Sequence, residues 1–125
     1  MARYVELQVT SHFSFLRGAS SPEELFSAAA LLGHQALGLA DWGSVAGVVR
    51  GWAGQKATGV RMLAGARVDL SDGRALLLYP TDRAAWSQLT RLLSVGKARG
   101  GKGCCLLDWA DLANHAQGLI AILLP

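Results

Sequence analysis

A chain of 125 residues, 51% hydrophobic and 17% charged, is long enough to bury a core as one domain and too apolar to be a disordered tail. No apolar run approaches the roughly 18 uncharged residues that cross a bilayer. The opening MARYVEL lacks the basic-then-apolar pattern of a signal peptide, so the expectation is a cytoplasmic chain with no membrane partner. The net charge of +3 is unevenly spread: ten basic residues lie between Arg50 and Lys102, against Asp69, Asp72 and Asp82. That asymmetry permits contact with a polyanion without requiring it.

The first strand is expected over 4–10. Ser21 then has the character of an N-cap, with Pro22 at the first helical position and Glu24 closing a capping box. Leu25, Ala28, Ala29 and Leu32 follow at helical spacing, and Gly33 ends that helix. QALGLAD (35–41) is a short apolar run suited to a buried parallel strand. A second helix carries the stripe Val45, Val48, Val49 and Trp52 and stops near Gly59.

RMLAGARVDL (61–70) reads as a third strand, and Asp72-Gly73 before RALLLY signals a hairpin into a fourth. Thr81 is placed to cap a helix whose Ala85, Trp86, Leu89, Leu92 and Leu93 share a stripe. A glycine-rich basic loop, GKARGGKG (96–103), leads to a strand CCLL, a short helix DWADLANHA and a last apolar run GLIAILLP. The order β-α-β-α-β-β-α-β-α-β predicts an α/β domain with mostly parallel strands. The run 118–124 is apolar on both faces and is expected inside a sheet, because an exposed edge of that kind invites aggregation. On that ground the 125 residues are expected to be part of a longer domain.

Strand C-terminal ends are where α/β folds place their sites. Thr10, Ser11 and His12 fall at the end of the first strand, Asp41 at the second, and Arg67 and Asp69 near the third. A hydrolytic metal site needs three or four converging ligands, and His12 and Asp41 are the only candidates among these. The local alternative for His12 is a hydrogen-bonded loop imidazole. For Asp41 it is a helix N-cap accepting from the amides after Trp42. Ser11, His12 and Asp41 supply the residue types of a catalytic triad, but no G-x-S-x-G elbow accompanies them.

GKARGGKG has the glycine and lysine spacing of a phosphate-binding loop. Gly103 replaces the hydroxyl residue, however, and the segment runs from helix to strand. It is read as a basic surface loop whose Lys97, Arg99 and Lys102 are the candidate nucleic-acid contacts. The cysteines are the adjacent pair Cys104 and Cys105, read as two small strand hydrophobes outside any disulfide framework. Trp42, Trp52, Trp86 and Trp109 are read as core or interface residues.

The blocks YVELQVTSHFSFLRGASSPEEL, ALGLADWGSVAGVVR, GVRMLAGARVDL, WSQLTRLLSVGKA and LLDWADLANHAQGLIAILLP together resemble the start of the polymerase-and-histidinol-phosphatase (PHP) domain of bacterial C-family DNA polymerases. FSFLRGASSPEEL and SVAGVVR resemble the error-prone branch in particular. The resemblance implies a distorted β/α barrel with helices outside, of which residues 1–125 would be the N-terminal half of a single domain.

It also implies a metal site at the strand ends, and here the chain departs from the family pattern. A His-x-His pair on the first strand is Gln8 and Thr10, and an aspartate before the loop glycine is Arg17. The imidazole of Asp-His-Gly is Trp42, and a glutamate on the third strand is Arg67. Arg17 and Arg67 are permanent cations, and the expectation is that they neutralise Asp41 in place of a metal. No cofactor is therefore expected.

The implied function is a non-catalytic scaffold within an error-prone DNA polymerase used in damage-induced synthesis and repair. Its partners would be the rest of the polymerase chain and, through it, DNA. One alternative is a residual metal-dependent phosphoesterase or 3′-exonuclease built on His12 and Asp41 and completed by downstream residues. Another is a free-standing degenerate PHP-like protein that self-associates through the 118–124 strand.

Overall fold

Strand β1 (Glu6–Val9) and strand β2 (Ala36–Trp42) flank helix α1 (Pro22–Leu31), and strand β3 (Arg61–Asp69) follows helix α2 (Val48–Thr58). A hairpin leads to strand β4 (Ala75–Pro80), then helices α3 (Arg83–Gly100) and α4 (Trp109–Asn114) and strand β5 (Leu119–Leu123). This is a computed structural model, and it describes residues 5–11, 13–14, 18, 20–100 and 105–125. His12, Arg17, Lys102 and Cys104 lie outside the described residues.

The strands lie in sequence order, β1-β2-β3-β4-β5. The β1–β2 and β2–β3 pairings are parallel, and β3–β4 and β4–β5 are antiparallel. Four strands therefore point one way and β4 alone runs against them. The expected α/β architecture with mostly parallel strands is present, as is the Asp72-Gly73 hairpin, where Gly73 adopts φ 93°.

The first capping box forms as the sequence demands: Glu24 N–H donates to Ser21 Oγ at 3.2 Å and Ser21 N–H to Glu24 Oε1 at 3.2 Å. The buried face of α1, however, is Pro22, Phe26 and Ala29, a rotation away from Leu25, Ala28 and Leu32. In α2 the difference is larger. Val49 is 79% exposed and Trp52 48% exposed, while Gly51 and Gly54 are buried. A Cβ on Gly54 would lie 2.9 Å from Phe26 Cγ, and one on Gly51 2.6 Å from Met62 Sδ. The helix buries its bare backbone so that Phe26 fits beneath it; Val49 and Trp52 turn outward, while Val45, ahead of the helix, packs against the core of β3, β4 and α3.

Phe26, Ala29, Leu37 and Val60 make one core cluster under α1 and α2. A second joins β3 and β4 to α3 and α4 through Val68, Leu76, Leu78, Leu89, Leu92 and Leu112. On a third patch of the sheet, Ala40, Leu77 and Tyr79 pack with Leu7, Leu63, Ile122 and Leu124, with no helical residue among them. Tyr79 reaches across this patch to donate its hydroxyl to the Leu7 carbonyl. Its path is cleared by glycine: a Cβ on Gly65 would lie 2.6 Å from the Tyr79 ring.

Three expectations are corrected in the second half of the chain. Asp82, not Thr81, caps α3, accepting from Ala85 N–H at 2.7 Å, while Thr81 Oγ1 donates to the Gly118 carbonyl. Helix α3 continues through Gly100, so Lys97 and Arg99 sit in its last turn rather than in a loop, where cations suit the helix dipole. CCLL does not form a strand within the described residues; Leu107 makes one isolated bridge to Leu70. Leu106 N–H instead donates to the Gly96 carbonyl at 2.9 Å, folding this segment over the end of α3.

Strand β5 is an edge among the described residues, paired with β4 alone. Ile120 is 54% and Leu123 62% exposed on that edge.

Candidate functional site at the strand ends

Asp41 is the most deeply buried ionisable side chain described here, at 2% exposure, and a buried carboxylate must be matched by donors. The donors come from the segment after β1. Ser11 N–H donates to Asp41 Oδ1 at 2.7 Å, and Ser11 Oγ lies 3.0 and 2.9 Å from Oδ1 and Oδ2. Ser14 Oγ donates to Oδ1 at 2.7 Å and in turn accepts from Trp42 N–H at 2.9 Å. Ser14 N–H closes the turn onto the Ser11 carbonyl at 3.0 Å.

Asp41 thus pins the end of β1 to the end of β2. It is not the N-cap of α2; that position is Gly47, with no side-chain cap bond. Gly47 packs tightly here, since a Cβ on it would come within 2.7 Å of Asp41 Oδ2. Ser14 was not singled out by the sequence reading. A hydroxyl in a loop carries no signal of its own, and only the fold shows which carboxylate it meets.

Trp42 and Arg67 are brought together. The parallel register pairs Trp42 with Arg67, so their side chains leave the same face of adjacent strands. The guanidinium carbon lies 3.7 Å from the Trp42 ring centroid. Arg67 Nη2 also lies 3.1 Å from Asp69 Oδ1, and its Nε is buried with no hydrogen-bond partner. The expected neutralisation of Asp41 by Arg67 is not what forms: serine hydroxyls and a backbone amide serve Asp41, while Trp42 and Asp69 serve Arg67. The physical reason is alternation along the strands. Asp41 pairs in register with Ala66 and Trp42 with Arg67, which sends the carboxylate and the guanidinium to opposite faces. Arg17 falls outside the described residues.

Gln8 is exposed near the end of β1, where its backbone N–H donates to Glu6 Oε1 at 3.1 Å, and Thr10 is half-buried beyond it. Among the described residues no three or more His, Cys, Asp or Glu side chains come together as a metal cluster. His12 falls outside the described residues.

The basic candidates stand apart from Asp41. Lys97 is exposed on α3. Arg99 forks onto Asp111 through both amino groups, with Nη2 2.7 Å from Oδ1. That charge-assisted pair, with a backbone bond from Asp108, holds the Asp111 carboxyl down to about 2. Arg50, Arg67 and Arg74 likewise face Glu23, Asp69 and Asp72, so the basic excess of the middle segment is partly matched locally. No described helix is long and apolar enough to cross a membrane.

Comparison with known proteins agrees with this frame. The chain is 58% identical over 123 residues to the Rhizobium meliloti (strain 1021) protein named error-prone DNA polymerase 2. It is 50% identical over 123 residues to the error-prone DNA polymerase of Caulobacter vibrioides. Each match covers 98% of this chain and 11% of the relative, so the chain spans about a tenth of the length of the curated relatives it matches.

Among solved structures, a putative metal-dependent phosphoesterase from Bifidobacterium adolescentis superposes with a TM-score of 0.66 at 19% identity, over 80% of this chain and 35% of that one. An amidohydrolase from Chromobacterium violaceum gives 0.59 at 24% identity, over 76% and 34%. At these identities the two structures speak to the fold alone. Residues 6–124 match the PHP domain family, over a sheet and strand ends of the kind that family's resemblance implies. The chain belongs to the PHP domain family.

Proposed function

We propose that this chain is a metal-free, non-catalytic PHP segment of an error-prone DNA polymerase and serves it as a structural scaffold. The observation that carries the reading is the Trp42–Arg67 stack, 3.7 Å from guanidinium carbon to ring centroid. It occupies two positions where the family resemblance implies an imidazole and a carboxylate. A divalent ion needs anionic or neutral donors. Here the strand ends offer an indole, a permanent cation, an amide at Gln8 and a hydroxyl at Thr10. Asp41, the carboxylate nearby, is already served by three donors: the Ser11 N–H, the Ser11 hydroxyl and the Ser14 hydroxyl. This donor set does not fit a divalent metal, and no chemical step is assigned to one.

The role left to such a domain is mechanical. Its partners would be the remainder of the polymerase chain and, through it, DNA, in damage-induced translesion synthesis and repair in the cytoplasm. The identity to error-prone DNA polymerases over 98% of this chain supports that assignment. Two measurements test it. Protein purified without chelator should hold zinc and manganese far below stoichiometry, and a full equivalent of either would overturn the metal-free reading. An immunoblot of the native cells against this segment should show a band of polymerase size; a band near 13.2 kDa would overturn the polymerase assignment.

A further inference from the structure

Nine described cations lie between Arg50 and Arg99, and the fold engages five of them. Arg50, Arg67, Arg74 and Arg99 meet Glu23, Asp69, Asp72 and Asp111, and Lys56 Nζ lies 5.2 Å from the Trp52 ring centroid. Of the other four, Arg61 begins β3, and Arg83, Arg91 and Lys97 all lie on α3. Among the described residues no carboxylate comes within ion-pair distance of these three. The local sequence supplies none either, since no Asp or Glu occurs from Arg83 to Leu107.

The three cations share one face. At 3.6 residues per turn they fall within about 120° of one another, opposite the Ala85, Leu89, Leu92, Leu93 and Gly96 that α3 buries. Arg83, Ala84, Arg91, Ser94, Lys97 and Ala98 stand exposed, with no acid, aromatic or large aliphatic side chain among them. Along the axis Arg91 lies about 12 Å from Arg83, and Lys97 about 9 Å further on. Helix stability does not account for the pattern: Lys97 suits the C-terminal end of the dipole, but Arg83 in the first turn opposes it.

We propose that the outer face of α3 binds the phosphate backbone of duplex DNA through Arg83, Arg91 and Lys97. A protein partner or a lipid surface would need apolar area at the centre of the contact. A single strand would need aromatic side chains on which its bases stack. This face has neither, and its charge complements a polyanion. A duplex presents a phosphate on each strand about every 3.4 Å of axis, so the roughly 21 Å from Arg83 to Lys97 spans about six base pairs. Contacts of this kind position the protein without reading sequence. That the polyanion is DNA rests on the polymerase reading; the charged face itself does not.

The test is binding of a fluorescent duplex of arbitrary sequence by the native product that carries residues 1–125, followed by anisotropy across a salt series. Replacing all three cations (Arg83→Gln, Arg91→Gln and Lys97→Gln) should lower the slope of log K against log salt by about 2.7, at about 0.9 per phosphate. Circular dichroism should be retained, because the three side chains are exposed. Arg91→Gln alone should lower the slope by about 0.9. Arg74→Gln removes an equal charge that Asp72 already holds, and should leave it unchanged. A slope that the triple variant does not move overturns the proposal, as do equal losses in Arg91→Gln and Arg74→Gln, which would reduce the effect to net charge. Equal weakening of duplex and polyglutamate binding in the triple variant would give the face to an acidic protein and overturn it too. A native band near 13.2 kDa would overturn the polymerase reading and leave this measurement standing, whereas an unmoved slope in a polymerase-sized product would overturn the α3 contact alone.

Discussion

The Arg67 guanidinium carbon lies 3.7 Å from the centroid of the Trp42 ring, with Nη2 held 3.1 Å from Asp69. Two residues of unlike chemistry on neighbouring strands thus compensate each other: the ring receives a charge, and the charge receives a face and a carboxylate. Arg67 is mostly buried, where such a contact is worth about 0.5–2 kcal/mol. Trp42→Ala and Arg67→Ala should each lower stability, and the double-mutant cycle should return a coupling of about 0.5–2 kcal/mol in urea unfolding. Strict additivity of the two variants would mean that the stack contributes nothing.

Asp41 stabilises the fold through the serines that surround it. Asp41→Ala strands two hydroxyls and an amide, and should cost about 3 kcal/mol or more, the scale of losing several charge-assisted bonds in a buried site. Ser14→Ala removes one donor and leaves Ser11 in place, so about 1–2 kcal/mol is expected. Denaturant midpoints measure both. A near-neutral Asp41→Ala would show that the carboxylate does not pin β1 to β2.

Much of this was legible in the sequence because it is local. The Ser21–Glu24 box, Pro22 at the start of α1, the Asp72-Gly73 hairpin and the buried β2 run all follow from residues within a few positions of one another. The buried face of α2 was not legible. Helical spacing of Val45, Val48, Val49 and Trp52 is a reliable sign of an apolar stripe, but a face built from Gly51 and Gly54 has no hydropathy to detect. Only the bulk of Phe26 on another helix explains it.

The candidate site divides in the same way. Trp42 and Arg67 were visible as departures from a family pattern. Their mutual stacking, and the transfer of Asp41 to Ser11 and Ser14, depend on strand register and loop path. Likewise, the spacing of GKARGGKG suggested a loop, whereas α3 keeps its ladder through Gly100 and Gly96 lets the 105–107 segment pack against it.

Tyr79 should behave as a clasp between β4 and β1. Its hydroxyl reaches the Leu7 carbonyl, and burial, then the charge of Glu6, raises its ionisation above the ordinary 10.0. The neutral phenol is the form the fold prefers. Its contribution is therefore complete below pH 10.0 and is lost as the pH climbs from there through the raised value. Tyr79→Phe should cost about 1 kcal/mol, the net worth of one hydrogen bond, and should speed amide exchange in β1. It should also flatten the alkaline loss of stability. Unchanged exchange at Leu7–Val9 would rule the clasp out.

The Arg99–Asp111 fork gives an acid-side counterpart. Asp111 closes the α4 capping box with Asp108, and Arg99 reaches it from the last turn of α3, so this one carboxylate ties two helix ends together. The Arg99 bond, then the Asp108 backbone, lowers its pKa from 3.8 to about 2. A depressed carboxylate stabilises the fold above its unfolded pKa and loses that contribution as the pH falls through the folded one. The tie should therefore be complete above about pH 4 and vanish as the pH drops towards 2. Arg99→Ala should move the acid unfolding midpoint upward while leaving stability at neutral pH less affected than Asp111→Ala does, because the capping box survives the first change and not the second. Added salt should narrow the gap between wild type and Arg99→Ala, since the arginine is half-exposed and screened. An acid midpoint that does not move in Arg99→Ala would place the depression of Asp111 in the capping box alone.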